Sequence, residues 1–497
     1  MPALWTLLGL ARPAPPIVES DTVYPLHLLD DNRGIRGMVF GWTLKFNDAL
    51  DADKLHESLV KLLSIGDWKK LGGRLRLKDG RFEVHVPQAF TQERPAVAYS
   101  HVTFEERFDD HPMTKAFPRA TNNPSIQAAP QESRAFAARE DAPTNLNGFL
   151  YTDTPVLSLH ITSFADATLI GLSWPHPLMD AFGQKALLQC WRLVLAGRES
   201  EVPPLLDGNV DGVLTAMEAS TVKEEEYCLN SKRLQGWSLA RFVAGMAIDM
   251  LWDWYAPAEV HNMYLPKDAM LKLQQQARED LAGTSKDADI PFLSEGDLIV
   301  AWTVRAVATS LSKPRPVVLI NALNIRLRLP SLLKASGAHI QNMAIGAFTL
   351  FSPKTARGSL GAIALENRQQ LAMQATEAQV MANLRIAREL KAAGGDPAFL
   401  CGEPNSLLVV ITNWTKADIW NSVDFSAAVV RSGETGPGRR NPPGTIVCHH
   451  SQSMQVSQTT PNVAVVSGKD LDGNYWLAGR FPTATWAKIE ESMETLK

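Results

Sequence analysis

This sequence of 497 residues contains few cysteines and has no excess of positive charge. The four cysteines lie far apart and form no Cys-x-x-Cys pair, so the sequence encodes neither a disulfide framework nor a zinc site of that type. Lysine and arginine total 49 against 53 aspartate and glutamate, a formal net charge of −4. A broad basic field that would hold a nucleic acid is therefore absent, and we expect no nucleic-acid partner.

Long apolar runs are missing as well. The most apolar later window, Val156 to Trp174, is interrupted by His160 and Asp166, and no run of about 18 apolar residues occurs. No lysine or arginine precedes Arg12, so the apolar opening residues do not have the pattern of a secretory signal. We therefore expect a soluble, cytoplasmic protein without a membrane partner.

The common catalytic signatures are also lacking. The sequence contains no Gly-x-Ser-x-Gly elbow, no phosphate-binding P-loop, no His-Glu-x-x-His pair and no dinucleotide fingerprint. A function must therefore be sought in a less common arrangement of residues.

What is present is typical of a soluble globular protein, since hydrophobic residues make up 45% and charged residues 21% of the chain. The length predicts about two to four domains. A predicted amphipathic helix after Asp51 precedes two alternating runs joined by Asp79-Gly80, a strong hairpin signal. The sequence thus predicts a fold of mixed helices and strands, with the best domain boundary in the proline- and glycine-containing stretch 197–208.

One cluster could carry chemistry. A predicted strand ends at Trp174-Pro175-His176-Pro177, and Asp180 follows at the start of a predicted helix that runs to about residue 195. Prolines stiffen the chain, so His176 is held at a strand-to-helix corner, where α/β proteins place reactive groups. A packed histidine followed by a helix-capping aspartate is the alternative interpretation, and the cluster by itself leaves both open.

A second polar stretch lies in the later half of the chain. Asn324, Arg326 and Arg328 alternate along a strand predicted from Pro316 to Leu329. Buried arginines need carboxylate partners, and Asp180 is a candidate partner for this stretch.

The His176-to-Asp180 motif followed by the Asn324-to-Arg328 motif resembles the BAHD acyltransferases, whose signature is His-x-x-x-Asp. Within that superfamily the sequence resembles the fungal branch that acylates secondary metabolites, as trichothecene acetyltransferases do. In chain order, the matching blocks are Tyr24-Pro25-Leu26 with Leu29-Asp30, His176 to Asp180, Asn324 to Arg328, Gln341-Asn342 and Thr412-Asn413-Trp414. Asp424 and Phe425 remain of the family's Asp-Phe-Gly-Trp-Gly block, and Ala181 stands where plant members usually have glycine. The resemblance spans nearly the whole chain.

The resemblance implies an α/β fold of two chloramphenicol-acetyltransferase-like domains. Each would be a mixed sheet with flanking helices, and a central channel would lie between them. We expect the N-terminal domain at 1–210, a crossover segment at 211–260 and the C-terminal domain at 261–497.

The resemblance also implies an acyl-CoA-dependent O-acyltransferase that esterifies a hydroxyl of a fungal secondary metabolite, such as a terpenoid or polyketide. Acyl-CoA, by default acetyl-CoA, is then a co-substrate, and neither a permanently bound cofactor nor a metal is expected. His176 would be the general base, and we expect a monomer whose partners are small molecules. The residues implied in scaffolding at the active site are Asp180, Arg326 and Asp424, and those implied in binding substrate or CoA are Asn324, Arg328, Thr412 and Trp414.

Other residues have two interpretations each. The tryptophans at 302, 414 and 420 could line an acceptor pocket or pack in the core. Arg439 and Arg440 could reach CoA phosphates, although a plain surface loop is favoured. His449 and His450 would point to opposite faces of a strand, and satisfied structural histidines are favoured over metal ligands.

Three alternative functions remain from the sequence. An N-acyltransferase cannot be told from an O-acyltransferase by these motifs. A condensation or cyclisation catalyst on the same fold is disfavoured, because Pro175 occupies the first of the two consecutive histidine positions that condensation domains typically carry. A degenerate, non-catalytic binding member is the third.

Overall fold

The computed structural model describes residues 14–129, 131–255, 257–282, 291–433, 439–455 and 461–497. Its strands are β1 (Thr22–Pro25), β2 (Val39–Phe46), β3 (Asp48–Leu50), β4 (Arg74–Lys78), β5 (Arg81–Val86), β6 (Ala98–Thr103), β7 (Ser125–Ala128), β8 (Ser158–Ser163), β9 (Thr168–Pro175), β10 (Glu259–Leu265), β11 (Val317–Asn324), β12 (Ala344–Phe351), β13 (Leu407–Asn413), β14 (Val429–Ser432), β15 (Ile446–Ser453), β16 (Val463–Lys469) and β17 (Tyr475–Phe481).

Helices alternate with these strands along the chain. They are α1 (Ala52–Leu62), α2 (Leu146–Leu150), α3 (Ala181–Leu195), α4 (Gly212–Ala219), α5 (Gly236–Tyr255), α6 (Lys267–Ala282), α7 (Glu295–Ser310), α8 (Pro330–Leu333), α9 (Pro353–Ala356), α10 (Leu360–Gln374), α11 (Glu377–Ala392), α12 (Ile419–Ser422) and α13 (Thr483–Thr495). None of the helices in the described ranges is long and apolar enough to cross a membrane.

Two mixed sheets form the framework. One has five strands in the order β15-β2-β9-β8-β6, and the other has seven in the order β12-β11-β13-β16-β17-β10-β7. In the first sheet β6 and β8 are parallel and the other neighbours antiparallel, whereas in the second β13 is parallel to both β11 and β16. Helices α1 and α3 share a core with the first sheet, and α7 and α10 with the second. The predicted α/β fold of mixed sheets with flanking helices is confirmed.

Each sheet contains one strand from the opposite half of the chain. Strand β15 pairs with β2 in the five-stranded sheet, although it comes from the last quarter of the sequence. Strand β7 pairs with β10 in the seven-stranded sheet, although it precedes the predicted boundary. Neither sheet is therefore made only of strands from one side of the predicted boundaries at 210 and 261. Those boundaries stay a prediction.

The packing of β9 and α3 fixes the turn between them. Every residue of β9 is buried, because this strand is central in its sheet and covered on both faces. At the far side, Trp191 of α3 is fully buried and its indole nitrogen donates to Ser58 Oγ of α1 at 2.9 Å. A turn held at both ends in this way can present a side chain in a fixed position.

Candidate active site

The His176 corner, residues 175–183, is the turn between β9 and α3. Residues His176–Leu178 form one turn of 3-10 helix after Pro175, and Asp180 then caps α3. The backbone of His176 is held from two sides: its N–H donates to the Met38 carbonyl at 2.9 Å, and its carbonyl accepts from Asn342 Nδ2 at 3.0 Å. The structure thus places His176 at the strand-to-helix corner that the sequence predicts.

The His176 ring is half-buried and neutral in character. Its centroid lies 5.0 Å from that of the Phe40 ring, and its Nδ1 has no hydrogen-bond partner among the described residues. Burial lowers the pKa of His176, because desolvation disfavours the imidazolium, and the nearby Asp180 carboxylate only partly opposes this effect. A neutral imidazole is the form that can accept a proton.

Both oxygens of Asp180 are fully engaged. Oδ1 accepts from the backbone N–H groups of Phe182 and Gly183 at 3.0 and 2.9 Å, which caps the first turn of α3. Oδ2 accepts from Arg326 Nη1 at 2.8 Å and from the Met343 N–H at 2.9 Å. The carboxylate therefore joins the corner to the second half of the chain, through one of the two arginine pairings expected from the sequence.

Arg326 reaches Asp180 from a turn and not from a strand. The strand predicted to Leu329 ends at Asn324, because the Asn324 side chain accepts from the Arg326 N–H at 2.9 Å and starts a 3-10 turn. That turn aims Arg326 at Asp180 and lets its Nη2 donate to the Gln341 carbonyl at 2.6 Å. The predicted alternation of Asn324, Arg326 and Arg328 on one strand face is therefore wrong.

The loop before β12 completes the corner. The Asn342 side chain donates both to the His176 carbonyl and to Asp30 Oδ1, the latter at 2.9 Å, and the Asn342 N–H donates to the same oxygen at 2.8 Å. At Gly183 a Cβ would lie 2.5 Å from the Ile340 carbonyl oxygen, so only glycine permits this close approach of α3 and the loop. Asp30 and Asn342 lie in matching blocks of the sequence, yet sequence reasoning gave neither a role.

A buried polar cluster supports that loop, and sequence reasoning missed it. Lys70 Nζ donates to the carbonyls of Asp207 and Gly208 at 3.0 and 3.2 Å and lies 3.4 Å from His27 Nε2. Asp207 Oδ2 accepts from the Gln341 N–H at 2.6 Å. Burial lowers the pKa of Lys70, and the neighbouring acidic groups oppose the shift. Because these residues are scattered over some 300 positions of the chain, no local pattern could have assembled them.

Thr412 and Trp414 lie at the end of β13, and the Trp414 ring faces the first sheet. Trp414 Nε1 donates to Thr412 Oγ1 at 2.9 Å, and the Trp414 ring lies 5.3 Å from that of Trp42 on β2. Trp42 and Phe40 share one face of β2, since alternate residues of a strand point the same way. The structure thus places Trp414 against the strand face that also carries the neighbour of His176.

Asp424 and Arg328 are not drawn into the corner. Asp424 is exposed and accepts from the Ser426 N–H at 3.1 Å, while the adjacent Phe425 stacks on Phe46. Phe46 and Phe40 lie at opposite ends of β2, about 20 Å apart at the rise of a strand. Asp424 therefore caps a local turn away from His176, which corrects its expected place at the active site. Arg328 is half-buried, and its Nε has no partner within the described ranges.

The remaining candidates separate into core and surface. Trp302 is buried in the second core and donates to Ser492 Oγ at 2.8 Å, so it lines no acceptor pocket. Arg439 is not on a plain surface loop, because it pairs with both oxygens of the buried Asp48 at 2.7 and 2.8 Å. Arg440 is exposed and lies 3.3 Å from Asp472.

His449 and His450 point to opposite faces of β15, as predicted. His450 Nε2 lies 3.5 Å from Ser133 Oγ, whereas the ring of His449 packs on Trp42, with ring centroids 4.3 Å apart. The expectation that both are satisfied is wrong for His449, because neither of its ring nitrogens has a hydrogen-bond partner among the described residues. Trp420, whose ring lies 5.6 Å from that of His449, is buried beside it.

Comparisons with known proteins extend over almost the whole chain. No family model matches it. The O-acetyltransferase PaAT-2 of Phomopsis amygdali is 37% identical over 496 residues, 96% of this chain and 99% of that protein. The acetyltransferase pyiB of Pyricularia grisea is 34% identical over 499 residues, 99% of this chain and 97% of that protein.

A solved structure shares the fold. The crystal structure of TRI101 from F. graminearum, complexed with coenzyme A and T-2 mycotoxin, matches with a TM-score of 0.61 at 13% identity. The match covers 95% of this chain and 97% of that chain. At this identity the match shows the fold, and the family follows from the two relatives.

Proposed function

This chain belongs to the fungal acetyltransferases of the BAHD acyltransferase superfamily, and from that membership we propose that it transfers an acetyl group from acetyl-CoA to a hydroxyl with His176 as general base. The chain is an acyltransferase of the class that transfers groups other than aminoacyl groups. Coenzyme A binds to the structural relative TRI101, which supports acyl-CoA as the co-substrate here.

The observation that carries the proposal is the way the His176 corner is held. Its backbone and the Asp180 carboxylate accept hydrogen bonds from both halves of the chain, while Nδ1 of the ring accepts none from the described residues. A fixed backbone with an uncommitted ring suits a group that must receive a proton in one geometry.

In the proposed mechanism the neutral His176 removes the proton from the acceptor hydroxyl as its oxygen attacks the thioester carbonyl. The C–O bond forms and a tetrahedral oxyanion results. Its collapse breaks the C–S bond, and the imidazolium returns the proton to the departing CoA thiolate. General-base assistance of this type contributes about 10²- to 10⁴-fold to the rate.

We assign Asp180 and Arg326 to positioning, because the Asp180 oxygens and the two terminal nitrogens of Arg326 are engaged in hydrogen bonds that hold the corner. Thr412 and Trp414 are proposed to contact the substrates. The Thr412 hydroxyl accepts from Trp414 Nε1, which leaves its own proton for donation, for example to the oxyanion. Asn324 is proposed to hold the turn through Oδ1, which accepts from the Arg326 N–H, and to offer substrate or CoA its Nδ2, which has no partner among the described residues.

The acceptor is proposed to be an alcohol of a fungal secondary metabolite, such as a terpenoid or a polyketide. The half-buried Phe40 ring, which contacts the His176 ring, offers apolar surface there, and this suits a carbon skeleton with few charges. We further propose a cytoplasmic monomer without a resident cofactor or metal. The four free cysteines support the cytoplasmic location, because free thiols persist in a reducing compartment. Sedimentation of the purified chain tests the oligomeric state.

The activity is tested by measuring thiol release from acetyl-CoA with a panel of terpenoid and polyketide alcohols and matched amines. We expect release with an alcohol and a loss of about 10²- to 10⁴-fold in kcat for His176→Ala, with unchanged melting temperature. His101→Ala, an exposed histidine on β6, is the matched control and should keep full activity. Full activity in His176→Ala would falsify the base assignment. Acetyl transfer to amines alone would indicate an N-acyltransferase, and acetyl-CoA binding without release a binding protein.

A further inference from the structure

His449 is enclosed by three indole rings at the meeting of the two halves of the chain. Its ring centroid lies 4.3 Å from that of Trp42, 5.6 Å from that of Trp420 and 6.3 Å from that of Trp414. The side chain is only 2% exposed. We call these four residues the tryptophan-histidine cluster.

Several polar atoms of this cluster are buried without a hydrogen bond. Among the described residues, neither nitrogen of His449 has a partner, and neither do the indole nitrogens of Trp42 and Trp420. Buried polar groups are nearly always paired, and a phenylalanine in place of the histidine would spare the fold this penalty. Four such atoms, on His449 and on two indoles that pack against it, therefore point to a group that they bind when it is present.

The cluster is adjacent to the His176 corner. Phe40 and Trp42 lie on the same face of β2, two residues or about 7 Å apart along the strand. The His176 ring contacts Phe40 and the His449 ring contacts Trp42. A molecule that lies across the Phe40 and Trp42 rings could therefore contact both histidine rings.

The chemistry of the atoms restricts the ligand. An indole N–H can only donate, whereas a neutral imidazole donates from one nitrogen and accepts at the other. A hydroxyl matches this set, since its oxygen accepts from indoles and its proton is donated to the imidazole. Burial lowers the pKa of His449 to about 3, so the ring is neutral at physiological pH. The rings that contact His449 in the described part of the chain are all uncharged, so they would leave an anion such as a phosphate without a cation.

We propose that His449, with the indole N–H groups of Trp42 and Trp420, binds an uncharged oxygen-bearing group of a substrate bound at the His176 corner. This inference rests on the proposed function, because it needs a substrate at that corner. The oxygen belongs either to a second hydroxyl of the acceptor or to the pantetheine arm of acetyl-CoA.

The test uses His449→Phe, which keeps a ring in the cluster and removes both nitrogens. The probes are a bicyclic sesquiterpenoid diol and its monohydroxy analogue. We expect the KM for the diol to rise about tenfold more than the KM for the analogue, the effect of one or two lost hydrogen bonds. His449→Gln, which retains a donor and an acceptor, should restore part of the difference.

The matched control is His450→Phe, the same change on the other face of β15, which should leave the KM values as they are. A selective rise in the KM for acetyl-CoA would assign the oxygen to the pantetheine arm and support the shared chemistry. Equal effects on diol and analogue, or none, with an unchanged KM for acetyl-CoA, would overturn the inference and indicate a buried water.

Folding of each variant is checked first by thermal unfolding. If His449→Phe does not fold, Trp420→Phe replaces it in the test. That variant removes only the indole N–H and part of the ring. Failure of the proposed function can be told apart from failure of this inference, because the unaltered protein would then release no thiol with any alcohol. The diol can then still be titrated against the unaltered protein and His449→Phe by tryptophan fluorescence, to which the three indoles of the cluster contribute among the 13 tryptophans of the chain. Equal affinities there would overturn the inference without any catalytic measurement.

Discussion

The His176 corner and the tryptophan-histidine cluster lie on one face of the same sheet and are built in opposite ways. At the corner, the polar groups of the backbone and of Asp180 are paired with groups from both halves of the chain. In the cluster, a histidine and two indoles are buried with no pairing among the described residues. The comparison teaches that the reacting group is fixed before substrate arrives, whereas the cluster is left incomplete for a substrate to satisfy.

Among the substitutions considered, removal of the Asp180 carboxylate should reduce the stability and activity of the His176 corner most. Asp180→Ala leaves Arg326 without its carboxylate, the Met343 N–H without an acceptor and α3 without its cap. We expect a loss of about 3–5 kcal/mol in the free energy of unfolding, because an uncompensated buried charge remains, together with a large fall in kcat. Urea unfolding and thiol release measure the two effects. A variant as stable as the parent would show that the ion pair does not hold the corner.

Asn342→Ala should give the next largest effect. Its amide is the link between Asp30 and the His176 carbonyl, so the variant leaves a buried carbonyl without its donor. We expect a loss of about 2 kcal/mol in stability, typical of a buried hydrogen bond to a charged group. Because the His176 backbone is loosened, kcat should fall while the KM for acetyl-CoA stays within a factor of about two or three. Asn383→Ala, at another buried asparagine away from the corner, serves as a control for stability loss alone.

Removing the His449 imidazole should change how the free energy of unfolding depends on pH, whereas the corner variants keep this imidazole and the parent's dependence on it. A histidine whose folded pKa is depressed stabilises the fold fully above the unfolded pKa of about 6.5, and this stability is lost as the pH falls below that value. At pH 5 the folded pKa of about 3 for His449 corresponds to a loss of about 2 kcal/mol relative to pH 7. His449→Phe should therefore unfold less readily than the parent at pH 5. An identical decline in both proteins between pH 7 and 5 contradicts this.

Asp424→Asn should have the smallest effect. Its carboxylate is exposed and accepts one local hydrogen bond, and an amide oxygen can replace it. We expect changes within about 0.5 kcal/mol in stability and no measurable change in kcat. A substantial loss of activity would restore Asp424 to the active site and weaken the contrast between the two regions.

The sequence supported a correct prediction of the fold class and of the corner, because those signals are local or ordered along the chain. Ten consecutive residues contain the end of a strand, His176 between two prolines and the capping aspartate, so the corner can be predicted locally. The ordered motifs also predict that Asp180 pairs with Arg326 or Arg328, and the structure shows the pair with Arg326. The strand prediction failed beyond Asn324, since an asparagine side chain bonded to its own backbone ends the strand, and alternation alone does not reveal this.

Contacts between distant segments escaped prediction. Asp30, Lys70 and Asp207 meet only in the folded chain, and each is an ordinary polar residue in its own neighbourhood. The sequence predicts a satisfied histidine at position 449, because it shows which face of a strand His449 occupies but not which groups oppose it there. The roles of His176, Thr412 and Trp414 stay predictions that the experiments above address.

The exchange of β7 and β15 between the sheets has a consequence for synthesis. While the ribosome is still making the second half of the chain, the five-stranded sheet lacks β15, and the free edge of β2 exposes unpaired N–H and C=O groups. The nascent first half must therefore wait until residue 453 has left the exit tunnel, and a chaperone would have reason to cover that edge meanwhile. A chain truncated near residue 210 should aggregate for the same reason, so the two halves are made in sequence but mature together.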